Sequence, residues 1–228
     1  MSIFVLSIGG STIVPDGKVN VAYLKELKAL ITRRAKLGDR FVIICGGGGT
    51  CRTYQAGLKA ISKPTNEDLD WLGIGVTRLN AQLVRLALGT LAHPELIEGD
   101  PLKFNPKTWK RPVVIAGGHK PGRSSDFSAT AFAKSVGARV VINISNVDYL
   151  YSKDPNKFSD AEIICEIDWS EYRKMVGDRW TPGMHIVFDP IASKLAQQAK
   201  LEVLLVGADL KNLANVFTKK PFRGTVIH

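Results

Sequence analysis

The chain lacks several features by which membrane, secreted and metal-binding proteins are recognised. Only three of its 228 residues are cysteine, and Cys45, Cys51 and Cys165 can neither all pair nor match the spacing of metal ligands. We therefore expect reduced thiols in a cytoplasmic protein. No run of about 18 apolar residues is present, which argues against a membrane span. The opening stretch Ser2-Ile3-Phe4-Val5-Leu6 has no basic leader, so we expect a first strand there and not a signal peptide.

The charge of the chain is unbalanced, but its distribution does not indicate a nucleic-acid partner. Lysine and arginine total 31 against 21 acidic residues, for a net charge of +10. The basic residues are scattered along the whole chain, and there is no stripe in which aromatic and basic residues alternate. A basic field that attracts small anionic substrates accounts for the charge equally well. The hydrophobic fraction of 45% is enough for a sizeable core in one large domain or two small ones.

Apolar runs alternate with segments of helical periodicity, which is typical of a mostly parallel sheet covered by helices. Strands are predicted at residues 4–8, 41–45, 112–116, 138–144, 203–206 and 224–227. Helices are predicted at residues 20–37, 50–61, 69–86, 126–136 and 170–176. A further helix begins with Asp189 as its N-cap and Pro190 at its first position.

The predicted helix at 69–86 has an apolar face that two glycines interrupt. The face comprises Leu69, Leu72, Val76, Leu79, Leu83 and Leu86, at spacings of three and four residues. Gly73 and Gly75 each cost roughly 1 kcal/mol in a helix interior, so a close helix contact is expected to compensate for them. That contact lies either across a dimer interface or within a tightly packed core.

Three glycine-rich loops follow predicted strands. They are Ile8-Gly9-Gly10-Ser11, Gly46-Gly47-Gly48-Gly49 and Gly117-Gly118-His119-Lys120-Pro121-Gly122-Arg123-Ser124-Ser125-Asp126. A strand that runs through glycines into a helix lets backbone N–H groups approach a phosphate, and open α/β sheets bind ligands at such strand ends. None of the three has the closing Gly-Lys-Ser/Thr of a Walker A loop or the Rossmann spacing. The loops together predict a site for phosphoryl transfer.

Several polar residues near these loops allow two interpretations. Arg52 reaches back over a bound phosphate or is a solvated helix arginine. Asp70 accepts hydrogen bonds from a sugar or caps a helix. The loop from His119 wraps an acceptor phosphate, or Ser125 or Asp126 is an N-cap and the rest is a solvated loop. No histidine lies in a recognisable nucleophile motif, so a hydrolytic triad is not expected.

The order and spacing of the motifs resemble those of the amino-acid kinase superfamily and, within it, the archaeal-type uridylate (UMP) kinases. The matching segments cover nearly the whole chain: 8–11, the second glycine run with Arg52 and Tyr54, 73–81, 117–126, Asn146-Val147-Asp148 with Tyr151 and Asp154-Pro155, Asp189-Pro190-Ile191-Ala192, and Gly224-Thr225-Val226-Ile227.

The resemblance implies a three-layer αβα sandwich with a mostly parallel central sheet, formed as one domain over residues 1–228. It implies transfer of the ATP γ-phosphoryl group to UMP, which gives UDP and ADP for pyrimidine biosynthesis. It also implies a Mg²⁺ ion that is bound through the nucleotide. A further implication is self-association into a homohexamer built from dimers. The acceptor is already a phosphate oxygen, so positioning and charge neutralisation carry such a reaction without a protein nucleophile or general base.

The resemblance also implies roles for individual residues. The ATP phosphates would meet Gly10, Ser11, Gly48 and Arg52, and the rest of the ATP side would be lined by Ser145, Asn146, Tyr151 and Asp154. UMP would be held by Gly47, Asp70, His119, Lys120, Pro121, Gly122, Arg123, Ser124 and Ser125. Asp126 and Asp189 would organise the centre, and Arg52 would join them in catalysis. No protein metal site is expected.

The chain departs from the family pattern at a few of these positions. Ser7 stands where related kinases often carry lysine and archaeal-type members aspartate. The acceptor loop usually reads Gly-Gly-Thr-x-Pro-Gly-His-Thr-Thr-Asp, whereas this chain has His119 in place of threonine and Arg123 in place of histidine. Tyr149 replaces a glycine beside the expected adenine edge. Two alternatives therefore stay open: a related kinase of another small phosphate, such as isopentenyl phosphate, and a non-catalytic nucleotide or oxyanion binder.

Overall fold

The computed structural model describes residues 1–155, 157–177 and 187–228. Its helices and strands are, in chain order, β1 (Ile3–Ile8), α1 (Gly10–Ile13), α2 (Val21–Lys36), β2 (Arg40–Cys45), α3 (Gly48–Ile61), α4 (Asn66–Leu88), β3 (Val113–Ala116), α5 (Ser125–Val136), β4 (Val140–Ser145), β5 (Leu150–Tyr151), β6 (Ile163–Ile164), β7 (Glu166–Ile167), α6 (Trp169–Val176), α7 (Pro190–Gln198), β8 (Glu202–Gly207), α8 (Leu210–Phe217) and β9 (Thr225–Ile227). Across the described ranges, every helix is too short or too polar to span a bilayer.

Seven of the strands form one sheet in the order β3-β2-β1-β4-β8-β9-β7. The five strands from β3 to β8 are mutually parallel, and β9 runs antiparallel to β8. In the sheet, β2 lies on one side of β1 and β4 lies on the other side. The connections that follow β1 and β4 therefore run in opposite directions, which opens a crevice at the carboxyl ends of these two strands, where open α/β sheets bind ligands.

Helices cover both faces of this sheet, so the predicted three-layer αβα sandwich is confirmed. On one face Phe127, Tyr172 and Ala192 bring α5, α6 and α7 against the strands. On the other face Leu27, Val84 and Leu213 do the same for α2, α4 and α8. The central strands read as continuous apolar runs because both of their faces are buried.

The predicted apolar face of α4 is partly wrong. Leu69 and Val76 are buried, but Leu79 and Leu86 are 67% and 61% exposed. The helix buries instead a stripe rotated toward Ala81, and that stripe also contains the following residues: Gly73, Ile74, Asn80, Val84 and Leu88. Because apolar residues occur on both sides of this helix, their spacing alone does not decide which side faces the core.

Five of the described elements were not predicted from the sequence: α1, β5, β6, β7 and α8. Helix α8 is short, and its buried residues, such as Leu213 and Phe217, close the outer layer above α2. The polar segment after β4 contains the small antiparallel ladder of β5 and β6, in which Leu150 pairs with Ile164. The remaining predicted strands and helices occur within a few residues of their expected bounds.

Candidate active site

A cavity of about 760 Å³ lies at the carboxyl ends of the parallel strands. It brings together four segments that are far apart in sequence: the end of β1 with the first glycine loop, the second glycine loop with the start of α3, the start of α5, and the polar segment after β4. The predicted site residues on its wall are Gly10, Ser11, Gly47, Gly48, Arg52, Ser125, Asp126, Ser145, Asn146, Tyr151 and Asp154. Every residue expected on the ATP side is therefore part of one cavity.

The first two glycine loops contact each other backbone to backbone. A Cβ atom at Gly10 would lie 2.6 Å from the carbonyl oxygen of Gly46 and closer still to the backbones of Gly47 and Gly48. Gly48 also adopts φ = 63°, in the left-handed region that favours glycine. The side chain of Asn80 fixes this arrangement from α4 by donating to the Gly46 carbonyl oxygen at 2.8 Å. The glycines are thus required by packing, and they leave the amino ends of α1 and α3 facing the cavity.

The half-buried carboxylate of Asp126 has two neutral hydrogen-bond donors. Ser7 Oγ donates to it at 3.1 Å, and Asn143 Nδ2 donates at 3.2 Å. Ser7 and Asn143 are register partners on β1 and β4, which places both donors beside the first turn of α5. Burial, and secondarily the negative charge of Asp189, raises the pKa of Asp126 to about 7.

Asp189 is the N-cap of α7, as predicted, and it is only 3% exposed. One carboxylate oxygen accepts from the backbone N–H groups of Ile191 and Ala192 at 2.7 and 2.9 Å. The other accepts from the hydroxyl of Ser124. Burial raises the pKa of Asp189 despite these donors. Because the pKa of Asp126 is raised to about 7, the pair together carries less than two full negative charges near neutral pH.

The third glycine loop lines the cavity only at its carboxyl end. Ser125 and Asp126 reach the cavity wall, whereas Asp70 and the loop positions 119–124 lie outside its lining. The N-cap of α5 is Ser124, whose Oγ accepts from Phe127 N at 3.0 Å, so neither Ser125 nor Asp126 caps this helix. Asp70 does not cap a helix either. Its carboxylate accepts from the backbone N–H of Gly122 at 2.7 Å.

Two cationic or ionisable side chains of this loop contact the ring of Phe127. The guanidinium of Arg123 lies 4.5 Å from the ring centroid, and the imidazole of His119 stacks with the ring at 6.2 Å. Neither ring nitrogen of His119 has a hydrogen-bond partner among the described residues. Burial lowers the pKa of His119, and the nearby positive charges of Lys120 and Arg123 lower it further. The imidazole of His119 is thus neutral, and both of its ring nitrogens are available for hydrogen bonds beside the expected position of the acceptor phosphate.

The family model for the amino acid kinase family matches residues 2–207. The chain belongs to the amino acid kinase family. It is 31% identical over 226 residues to a uridylate kinase of Sulfolobus acidocaldarius, covering 97% of each chain. It is 33% identical to a uridylate kinase of Methanospirillum hungatei, covering 100% of this chain and 95% of that one.

Solved structures of the family give the same result at the level of the fold. The uridylate kinase of Archaeoglobus fulgidus superposes with a TM-score of 0.82 at 26% identity, over 100% of this chain and 99% of that chain. The UMP kinase of Bacillus anthracis superposes with a TM-score of 0.77 over 100% of this chain and 95% of that chain. Its identity is only 15%, so it supports the fold alone.

Some residues of this amino acid kinase site were not singled out from the sequence. Asn143 interrupts an apolar strand and reaches Asp126, and a lone amide inside a buried strand was the available signal. Lys153 and Lys157 line the cavity, and their ion pairs with Asp160 and Asp154 hold them near the β5–β6 ladder. Those lysines lie in a polar stretch with no periodicity, so nothing in the sequence distinguished them from solvated charges.

Proposed function

We propose that this chain is a uridylate kinase that transfers the γ-phosphoryl group of ATP to UMP, giving UDP and ADP. The observation that carries the proposal is the single cavity in which the first two glycine loops, Arg52 and the segment from Ser145 to Asp154 meet. The archaeal relatives named uridylate kinase are similar over almost the full length of the chain, and they support the choice of acceptor.

The donor nucleotide is assigned to the cavity itself. Backbone N–H groups at Gly10, Ser11 and Gly48 face the phosphates, and Arg52, one turn into α3, adds its forked donors. The ribose and base then lie along the wall formed by the following residues: Ser145, Asn146, Tyr151 and Asp154. Tyr149 also lines this wall, and it narrows the space in which an adenine ring would lie.

The acceptor nucleotide is assigned to the space between α4 and the third glycine loop. Its ligands are Gly47, Asp70, His119, Lys120, Pro121, Gly122, Arg123, Ser124 and Ser125. The unpartnered ring nitrogens of His119 and the guanidinium of Arg123 supply donors for a phosphate, and Asp70 supplies an acceptor for sugar hydroxyls. Ser125, which reaches the cavity wall, marks the boundary between the two nucleotides.

Charge and position account for the chemistry of this site. An oxygen of the acceptor phosphate attacks the γ-phosphorus directly, so no side chain has to remove a proton. Arg52 stabilises the negative charge that develops on the transferred group. Because the pKa values of Asp126 and Asp189 are raised, these two carboxyl groups repel the anionic substrates less than two full charges would.

Mg²⁺ is proposed to enter with the nucleotide. No group of three or more potential metal-ligating side chains occurs in the described part of the chain. Mg²⁺ usually binds through substrate phosphates with one or two carboxylates, so the nucleotide phosphates would hold the ion, with Asp154 as a carboxylate that the cavity wall offers. When bound, the ion neutralises charge on the phosphates.

Self-association is proposed to use the outer face of α4, starting from a dimer and continuing to a homohexamer. Trp71, Leu79 and Leu86 are exposed by 50%, 67% and 61%, and they lie on one side of the helix. A Cβ at Gly75, in the middle of this face, would have no atom within 4 Å. An apolar stripe with a small residue at its centre allows a second helix to pack closely.

We propose that residues 1–228 form a single amino acid kinase domain and that the protein acts in the cytoplasm, in pyrimidine biosynthesis. The described cysteines are all free, as expected for a reducing compartment.

A coupled assay with ATP, Mg²⁺ and UMP tests the function. We expect UDP formation by the parental chain and its loss in the Arg52→Ala variant, which removes the cation assigned to the transferred group. A parallel panel with dUMP, CMP and isopentenyl phosphate tests the acceptor class. Faster turnover of a non-nucleotide phosphate would contradict the assignment of UMP, and ATP binding without transfer to any acceptor would contradict kinase activity.

A further inference from the structure

Helix α4 holds the third glycine loop at two points, and at Gly118 it does so through side chains outside the expected substrate ligands. The backbone N–H of Gly118 donates to Thr77 Oγ1 at 2.7 Å, and Arg78 Nε donates to the carbonyl oxygen of Gly118 at 3.1 Å. At the far end, Gly122 N donates to Asp70 on the same helix. Adjacent residues of α4 thus bind both polar groups of Gly118, and these contacts determine where the loop lies.

The loop also contacts the backbone of α4 directly. A Cβ at Gly117 would lie 2.9 Å from Arg78 N and 3.0 Å from the carbonyl carbon of Thr77. A Cβ at Gly118 would lie 3.0 Å from a side-chain carbon of Ile74. The two glycines therefore allow the loop to lie against the helix at the level of Thr77 and Arg78. A displacement at this level moves His119 and the residues after it.

The side chains that make these bonds are themselves held in place. The hydroxyl of Thr77 donates to the carbonyl oxygen of Ile74 at 2.8 Å, and this hydrogen bond orients a lone pair of the hydroxyl oxygen toward Gly118 N. The guanidinium of Arg78 forms an ion pair with Glu98 at 3.1 Å. Its positive charge also lowers the pKa of His119, although burial of the ring has the larger effect.

We propose that Thr77 and Arg78 are positioning residues of the acceptor site. They hold the Gly118 peptide so that His119 to Ser125 lie at a fixed distance from Asp70, and neither residue lines the donor cavity. This inference rests on the proposed function, because it requires that the third glycine loop binds the phosphorylated acceptor.

The test is a comparison of KM values for the two substrates. Thr77→Val keeps the shape of the side chain and removes the hydroxyl, and loss of the hydrogen bond that positions Gly118 N should raise the KM for UMP about five- to tenfold. The KM for ATP should stay within about twofold, because the donor cavity is unchanged. Thr77→Ser keeps the hydroxyl and should restore the parental KM for UMP. Arg78→Lys keeps the charge near His119 but loses Nε, so it should also raise the KM for UMP alone.

Thr32→Val is the matched control. Thr32 on α2 also donates its hydroxyl to a carbonyl of its own helix, that of Lys28, but it lies far from the loop. This variant should leave both KM values at the parental level. Equal increases in the two KM values, or no increase in either Thr77→Val or Arg78→Lys, would overturn the positioning role while UMP kinase activity stands. Absence of UMP phosphorylation by the parental chain would instead refute the proposed function, and this inference with it.

Discussion

Replacing Gly10 with alanine should separate the two glycine loops that form the phosphate end of the cavity. The backbone of Gly10 is helical, so alanine causes no conformational strain there, and the effect comes from packing alone. The new methyl group would lie 2.6 Å from the Gly46 carbonyl oxygen, whereas ordinary van der Waals contact begins at 3.4 Å. Its neighbours are backbone atoms of Gly47 and Gly48, so no flexible side chain can move aside.

The structure gives a magnitude for this effect. The loops have to move apart by about 1 Å, and a misplacement of that size in a catalytic site costs about 100-fold in rate. Overpacking typically destabilises a protein by about 1–3 kcal/mol, which is about 2–12 °C in melting temperature for a chain of this size. We therefore expect Gly10→Ala to lower kcat/KM for ATP about 100-fold and to lower the melting temperature as well.

Gly57→Ala is the matched control for this prediction. Gly57 lies within α3, and a Cβ there would have no atom within 4 Å. Alanine should therefore stabilise the chain by about 0.4–1 kcal/mol, the opposite sign to Gly10→Ala, with no change in kinetics. Both variants can be measured by thermal unfolding and by initial rates at varied ATP. A Gly10→Ala variant with parental melting temperature and parental kcat/KM would refute the loop contact.

Three further predictions concern charge and assembly. The pKa of Asp126 is raised to about 7, so its contribution to stability is present at low pH and is lost as the pH rises through that value. Asp126→Asn should therefore gain melting temperature relative to the parental chain as the pH rises from about 4 to about 7, the interval between the ordinary and the raised pKa, and a constant difference would contradict the raised pKa. His119 is neutral in the absence of ligand, so binding of the UMP phosphate should be accompanied by proton uptake. The uptake would be seen as a binding enthalpy that depends on the buffer, and His119→Asn should abolish it. Equal proton uptake by the parental chain and the variant would exclude His119 as a phosphate ligand. Leu79→Glu should shift the sedimentation coefficient toward that of a monomer, whereas Leu37→Glu, at the 70% exposed C-cap of α2, should not. Equal sedimentation of the two variants would exclude the outer face of α4 as an interface.

The strands and glycine loops could be predicted from the sequence because their signals are local. A buried apolar run that ends in glycine marks the carboxyl end of a strand, and parallel strands bring such ends together at one edge of a sheet. For this reason Gly10, Gly48, Arg52 and Ser145 were expected to meet and do line one cavity. The N-cap at Asp189 was similarly local, because it depends on two adjacent residues.

Features that depend on register or on the orientation of a helix could not be predicted in the same way. Leu79 and Val84 are equally apolar, and only packing against the sheet decides that Val84 is buried and Leu79 exposed. The contact of Thr77 with Gly118 joins residues 41 positions apart, and no periodicity encodes it. The pairing of Asp70 with the Gly122 amide also became visible only in the structure.

The neutral residue at position 7 fits its surroundings better than a charged one would. Ser7 is 2% exposed, and its hydroxyl donates to Asp126, next to the amide of Asn143. A lysine here would hold Asp126 ionised by lowering its pKa, and an aspartate would add a third buried carboxylate to the pair formed with Asp189. Serine does neither, so Asp126 keeps its raised pKa and the pair stays only partly charged. The departure at Ser7 is therefore compatible with catalysis, because a reaction between two anionic nucleotides requires little negative charge at this point and firm positioning of the groups around it.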